Sequence, residues 1–137
     1  MALFYADASA LVKLVRDEPE SNALRGFLAE DDLVSCELVL TEVARAIRRA
    51  ASVDPRLPLE VLIERAGELL DAVALLPLDR GVLAAAGALD EPVLRALDAI
   101  HVVAAIDLSP LDAFVSYDER QTAAARLAGL RTVQPGA

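Results

Sequence analysis

Two short apolar runs, Leu3-Phe4-Tyr5-Ala6 and Ala113-Phe114-Val115-Ser116, each lead within two residues to an aspartate and then to a helical pattern. A strand that hands over directly to a helix cannot turn back as a hairpin, so the next strand has to run parallel to it. The rest of the chain repeats that alternation. Helical patterns span Ala8 to Val15, Asn22 to Ala29, Leu38 to Ala51, Leu59 to Leu70, Arg80 to Ala88, Ala96 to Ile106 and Glu119 to Ala128. Strand candidates fall at Leu33-Val34-Ser35, Val73 to Leu76 and Leu130 to Val133. Asp79 is placed to cap the fifth helix and Gly129 to close the last. The pattern predicts one α/β domain over residues 1–137, a three-layer α/β/α sandwich with a central parallel sheet.

Composition removes several kinds of chemistry. With 55% hydrophobic and 26% charged residues the chain has ample material for a core, so disorder is not expected. Aliphatic residues dominate, whereas Phe and Tyr total five and Trp is missing, which gives little support to base stacking on aromatic platforms. The net charge of −9 excludes a broad basic nucleic-acid face but leaves room for a local one. One cysteine, Cys36, makes no internal disulfide, and with a single histidine it cannot complete a zinc site of about four ligands. His101 sits in a buried helical pattern, which disfavours Ser–His–Asp or Cys–His nucleophilic chemistry. The first residues lack a basic leader, and no apolar run nears the roughly 18 residues of a membrane span. A cytoplasmic location without membrane contact is the expectation.

Carboxylates remain. Asp7 and Asp118 both lie where strands end and helices begin, at the carboxyl edge on which parallel α/β sheets bind ligands. Each is equally suited to cap its helix. Glu42 falls at the rim of the buried arc formed by Val39, Val43, Ala46, Ile47 and Ala50. From there it either points into a cleft or pairs with Arg45 and Arg49 along its own helix. Asp98 opens the most apolar helix of the chain, where an ionised carboxylate needs a helix N-terminus, a donor or a cation. His101, one turn along, is the local candidate for that donor. Oxygen ligands without His or Cys suit a hard cation such as Mg2+ or Mn2+, which activates water and clamps phosphoryl oxygens.

Four segments carry a resemblance. Asp7-Ala8-Ser9-Ala10-Leu11-Val12-Lys13, Thr41-Glu42-Val43-Ala44-Arg45-Ala46, Leu97-Asp98-Ala99-Ile100-His101 and Ser116-Tyr117-Asp118, followed by a helix and Gly129-Leu130, occur in order along the whole chain. In this the sequence resembles the PIN-domain ribonucleases, and more narrowly the VapC toxins of bacterial type II toxin–antitoxin modules. The resemblance implies that Asp7, Glu42, Asp98 and Asp118 form an acidic catalytic pocket holding Mg2+ or Mn2+. Ser9 would orient a carboxylate or a bound water, and Ser116 stands where the family often has Thr. It further implies hydrolysis of RNA phosphodiesters, an arrest of translation, and a VapB-type antitoxin as partner, in a homodimer or a toxin–antitoxin hetero-oligomer. Arg45, Arg48 and Arg49 are the RNA-binding candidates that would offset the acidic charge, or else a solvated helix face.

Two other readings are open on the sequence alone. A catalytically silent PIN-like scaffold would keep the fold and bind partners only. An aspartyl-phosphate on Asp7 would call for a late lysine, whereas Lys13 is the only lysine. For the antitoxin, the helices Leu11 to Val15 and Asn22 to Ala29 predict an apolar groove between them, with Leu11 and Leu14 as contacts and a basic side chain reaching Glu42 and Asp118.

Overall fold

A computed structural model describes residues 1–137. Five strands form one sheet in the order β3-β2-β1-β4-β5, namely β1 (Leu3–Ala6), β2 (Asp32–Cys36), β3 (Ala74–Leu76), β4 (Ala113–Val115) and β5 (Thr132–Val133). All neighbouring pairs are parallel, with Tyr5 beside Val34 on one side and Phe114 on the other. The helices are α1 (Ala8–Val15), α2 (Ser21–Leu28), α3 (Leu38–Val53), α4 (Leu59–Ala72), α5 (Arg80–Gly87), α6 (Ala96–Asp107) and α7 (Glu119–Leu127). Every element expected from the sequence is present, with ends displaced by a residue or two.

The period-2 alternation of the strands sorts their side chains into two layers. Phe4, Ala6, Ala113 and Val115 face one side, where Leu11, Val15, Leu24, Val39, Val43, Ile47 and Leu62 from α1 to α4 cover them. Tyr5, Cys36 and Phe114 face the other side, under Ala104, Ala105 and Ala125 of α6 and α7. A smaller cluster of Val82, Ala86, Ala99 and Val103 joins α5 to α6. The sandwich is thus three-layered, as the alternation predicts. Alanine lets α6 and α7 approach the sheet closely over the bulkier Tyr5 and Phe114 rings.

Local signals end the helices as anticipated. The Asp79 side chain accepts from the Val82 backbone N–H at 2.9 Å and caps α5. Gly129, at φ +85°, takes the left-handed turn beyond α7 that a side chain would strain. Lys13 near the end of α1 bonds Glu18 at 2.6 Å and Glu20 at 2.8 Å, with its ammonium 4.8 Å from the centre of the Tyr117 ring.

The strand order fixes where a site can form. From β1 the sheet grows through β2 and β3 on one side and through β4 and β5 on the other. Helices leaving the carboxyl ends of β1 and β4 therefore diverge to opposite faces and open a crevice between them. Asp7 and Asp118 stand on its two lips.

Asp79 lies away from that crevice and serves as a cap. Asp79→Ala is expected to cost about 1 kcal/mol, read as a lower urea midpoint with an unchanged slope, and to leave any enzymatic activity as it was.

Candidate active site

Asp7 is the most enclosed of the four acids, at 4% exposure. Its Oδ1 accepts from Ser9 Oγ at 2.6 Å and from the Ala10 N–H at 3.2 Å, and its Oδ2 accepts from Ser116 Oγ at 2.6 Å. Both serines are held in turn by the second loop. The Tyr117 N–H donates to Ser9 Oγ at 2.8 Å, and the Asp118 N–H donates to Ser116 Oγ at 3.1 Å. Burial pushes the Asp7 carboxyl above its ordinary range, and the two hydroxyl bonds pull it only part of the way back. Asp7 therefore caps α1 and ties the end of β1 to the end of β4 at once.

Asp118 also caps its helix, with Oδ1 accepting from the N–H groups of Arg120 at 2.9 Å and Gln121 at 3.1 Å. Capping occupies one carboxylate oxygen and leaves the other for different work. For Asp7 and Asp118, then, the two readings of the sequence are compatible.

Asp98 behaves differently. It sits in the first turn of α6, and its Oδ2 is buried without a hydrogen-bond partner. Desolvation raises its pKa, and the nearby charge of Asp118 raises it further. Gln121 draws the two helix starts together, its side-chain amide donating to the Asp98 carbonyl at 3.2 Å. The donor expected from His101 does not reach Asp98.

His101 instead turns to Glu42. A carboxylate only accepts, so His101 Nε2–H donates to Glu42 Oε1, at 2.6 Å. On the other side of the ring, Nδ1 lies 2.7 Å from the Tyr5 hydroxyl and 3.8 Å from Cys36 Sγ. Burial pushes the imidazole pKa down, but Cys36 and Glu42 outweigh it and hold the ring up to about 10. Arg45 and Arg49 do not pair with Glu42: they and Arg48 are exposed on α3, without ion pairs. The spacing along the helix favoured those arginines, yet the rim position lets Glu42 turn inward to a stronger, desolvated donor.

The structure thus draws Asp7, Ser9, Ser116 and Asp118 into one hydrogen-bonded group, with Asp98 close enough to feel the charge of Asp118. Glu42 joins through His101, whose charge is also felt by Asp7. No three His, Cys, Asp or Glu side chains converge closely enough to hold a metal ion between them. Tyr5, Gln121 and Cys36 belong to this network, and sequence reasoning did not single them out. Only Tyr5 carried a signal, since a buried phenol needs a partner and the chain has one imidazole. Cys36 does approach His101, but both are sealed from solvent, so the pair offers no accessible nucleophile.

Comparison with known proteins identifies the family. Residues 4–127 match the PIN domain family. Ribonuclease VapC47 of Mycobacterium tuberculosis is 36% identical, with 98% of each chain aligned. Ribonuclease VapC46 of the same species is 39% identical, over 98% of this chain and 99% of the relative. The chain belongs to the PIN-domain family, in its VapC branch. Among solved structures, PAE2754 from Pyrobaculum aerophilum superposes with a TM-score of 0.69 over 96% of this chain and 84% of that one. At 22% identity that likeness speaks for the fold alone.

A carboxyl whose folded pKa is raised stabilises the fold below its unfolded pKa, and that contribution is lost as pH rises through the folded value. Asp98→Asn keeps the shape and removes this loss. The variant is expected to match wild type near pH 3.5 and to become the more stable of the two as pH approaches neutrality. Urea midpoints of both proteins across that range check it; a variant weaker than wild type at neutral pH would identify Asp98 as a satisfied cap.

Proposed function

We propose that the chain is a Mg2+- or Mn2+-dependent endoribonuclease, the toxin of a VapBC-type pair, and that Asp7, Glu42, Asp98 and Asp118 hold the cation and carry the reaction. The observation that carries this reading is the buried, unpartnered Oδ2 of Asp98 beside the charge of Asp118. Such an oxygen is costly unless a cation completes it. The residues fit a hard ion in kind, since oxygen donors surround the crevice and the one imidazole is already bound to Glu42. Three converging ligands are not required, because Mg2+ usually keeps several waters and takes one or two carboxylates directly, and in this reading the other acids hold the ion through those waters. When bound, the cation supplies an activated water and neutralises charge on the phosphoryl oxygens.

The chain's own residues do the rest. Ser9 and Ser116 fix both oxygens of Asp7, so this carboxylate cannot swing with the loops. Asp118 is held through Oδ1 by its cap, which orients the remaining oxygen. Arg45, Arg48 and Arg49 stand unpaired on the helix that carries Glu42, and in this reading they hold RNA phosphates against the chain's net charge of −9. The curated relatives are named as ribonucleases, which supports RNA as the substrate, and arrest of translation is the outcome this reading expects.

The partner in this reading is a VapB-type antitoxin, in a homodimer or hetero-oligomer that works in the cytoplasm. No helix is long and apolar enough to cross a membrane. The groove expected between α1 and α2 takes a corrected form. A cavity of about 680 Å³ is lined by Leu14, Arg25, Leu28 and Leu33 together with the end of α4. Leu11 is not in it: at 0% exposure Leu11 is core. The cavity opens at the amino ends of β1 to β3, whereas Glu42, on the helix that follows β2, and Asp118, beyond the end of β4, belong to the carboxyl edge of the sheet, away from a helix seated in it.

Water attack on the phosphodiester leaves a 3′-hydroxyl and a 5′-phosphate, whereas attack by the ribose 2′-hydroxyl leaves a cyclic phosphate. Incubation with total cellular RNA and Mg2+, followed by end mapping, is expected to show 5′-phosphates, none without the metal and none with Asp98→Asn. Persistent cyclic ends refute the metal-water mechanism, and a fully active Asp98→Asn refutes the site. A catalytically silent scaffold would give no new ends under any condition.

A further inference from the structure

We infer that His101, itself held by Tyr5, is a positioning residue that fixes Glu42 for the cation. The inference rests on the metal-site reading above and assigns a job to two residues outside the carboxylate set. A glutamate has three side-chain torsions, and at the mouth of a crevice it loses considerable rotamer freedom when it ligates. Glu42 is such a residue, with 23% of its side chain exposed. The imidazole removes that freedom beforehand by engaging Oε1 at 2.6 Å, which leaves Oε2 as the open ligand atom.

A donor positions only if it is itself fixed, and His101 is fixed from two sides. Its ring is 2% exposed, and its Nδ1 meets the Tyr5 hydroxyl at 2.7 Å. Tyr5 is wholly buried, stacks on Phe114 with ring centres 5.0 Å apart, and meets the imidazole edge-on at 5.8 Å. Rigidity therefore runs from the centre of the sheet through one phenol and one imidazole to a carboxylate on α3. A buried imidazole has two nitrogens to satisfy, and while Nδ1 is met within the core by Tyr5 and Cys36, Nε2 reaches outward to a partly exposed acid. Arg45 and Arg49, within helical reach of Glu42, leave it to the imidazole. Outer partners of ligating groups typically control 10- to 100-fold of metal affinity.

The test reads Mn2+ binding directly, from the electron-spin resonance signal of the free ion, on RNA-free protein whose folding is checked by circular dichroism. His101→Leu is expected to weaken Mn2+ binding by about 10- to 100-fold. His101→Gln, which retains an amide donor near the Nε2 position, should recover most of it. Tyr5→Phe, which deletes only the hydroxyl, should weaken binding by a smaller factor while the fold stays intact. With RNA, the same variants should lose kcat and keep KM. Mn2+ affinity within twofold of wild type in Tyr5→Phe and in the folded His101 variants overturns the inference, even if His101→Leu itself does not fold. Asp98→Asn serves as the reference. If it binds Mn2+ as wild type does, or wild type binds none, the metal-site reading fails as a whole. If Asp98→Asn alone loses the ion, only the role of His101 fails.

Discussion

A carboxylate shut away from water has to be hydrogen-bonded on both oxygens, and Asp7 shows how much structure that demand organises. Its bonds to Ser9 and Ala10 hold the β1–α1 junction, and its bond to Ser116 crosses to the β4–α7 junction, more than a hundred residues away in sequence. The same serines accept from the Tyr117 and Asp118 backbone, so two loops that would otherwise move independently share one network. Charge burial at this spot is unfavourable by itself, yet it sets the register of the crevice lips. The residues around it then have little freedom in where they point.

The fold was legible because its signals are local. Strand runs such as Leu3 to Ala6 lead straight into capping aspartates, and Asp79 and Gly129 mark helix ends through backbone chemistry that needs no tertiary contact. The positions of Asp7 and Asp118 followed from strand order, since parallel sheets bind at their carboxyl edge. The partners of Glu42 and Asp98 did not follow. Helical spacing offers each acid only neighbours one or two turns away, which pointed to Arg45 and Arg49 for one and to His101 for the other. Glu42 found its donor 59 residues downstream, once α6 had packed on the sheet face opposite the one α3 covers. Asp98 found none. Such outcomes depend on how helices are set against one another, and periodicity within one helix carries no information on that.

Stability and chemistry pull against each other along this edge. Asp98 and Asp118 repel, and the orphaned oxygen of Asp98 is a standing cost to the fold. The core on the α1–α4 face, with Leu11, Leu24, Val39, Val43 and Ile47 fully enclosed, offsets it. Marginal local stability at a site whose energy is supplied elsewhere is a common arrangement in enzymes. The conflict between local rule and observed placement falls on the residues that sequence resemblance marks as functional, which is where such conflicts are expected.

Lys13 has a consequence of another kind. It is the sole lysine, its side chain is 13% exposed, and it is locked between Glu18, Glu20 and the Tyr117 ring. The outward-facing positive charge of the body of this protein is therefore carried by guanidinium groups, which stay protonated under all ordinary conditions and resist acylation. Reagents that modify amines will find the terminal amino group and little else. The electrostatic surface of α3 thus survives labelling or cross-linking chemistry that would strip the charge from a lysine-rich protein.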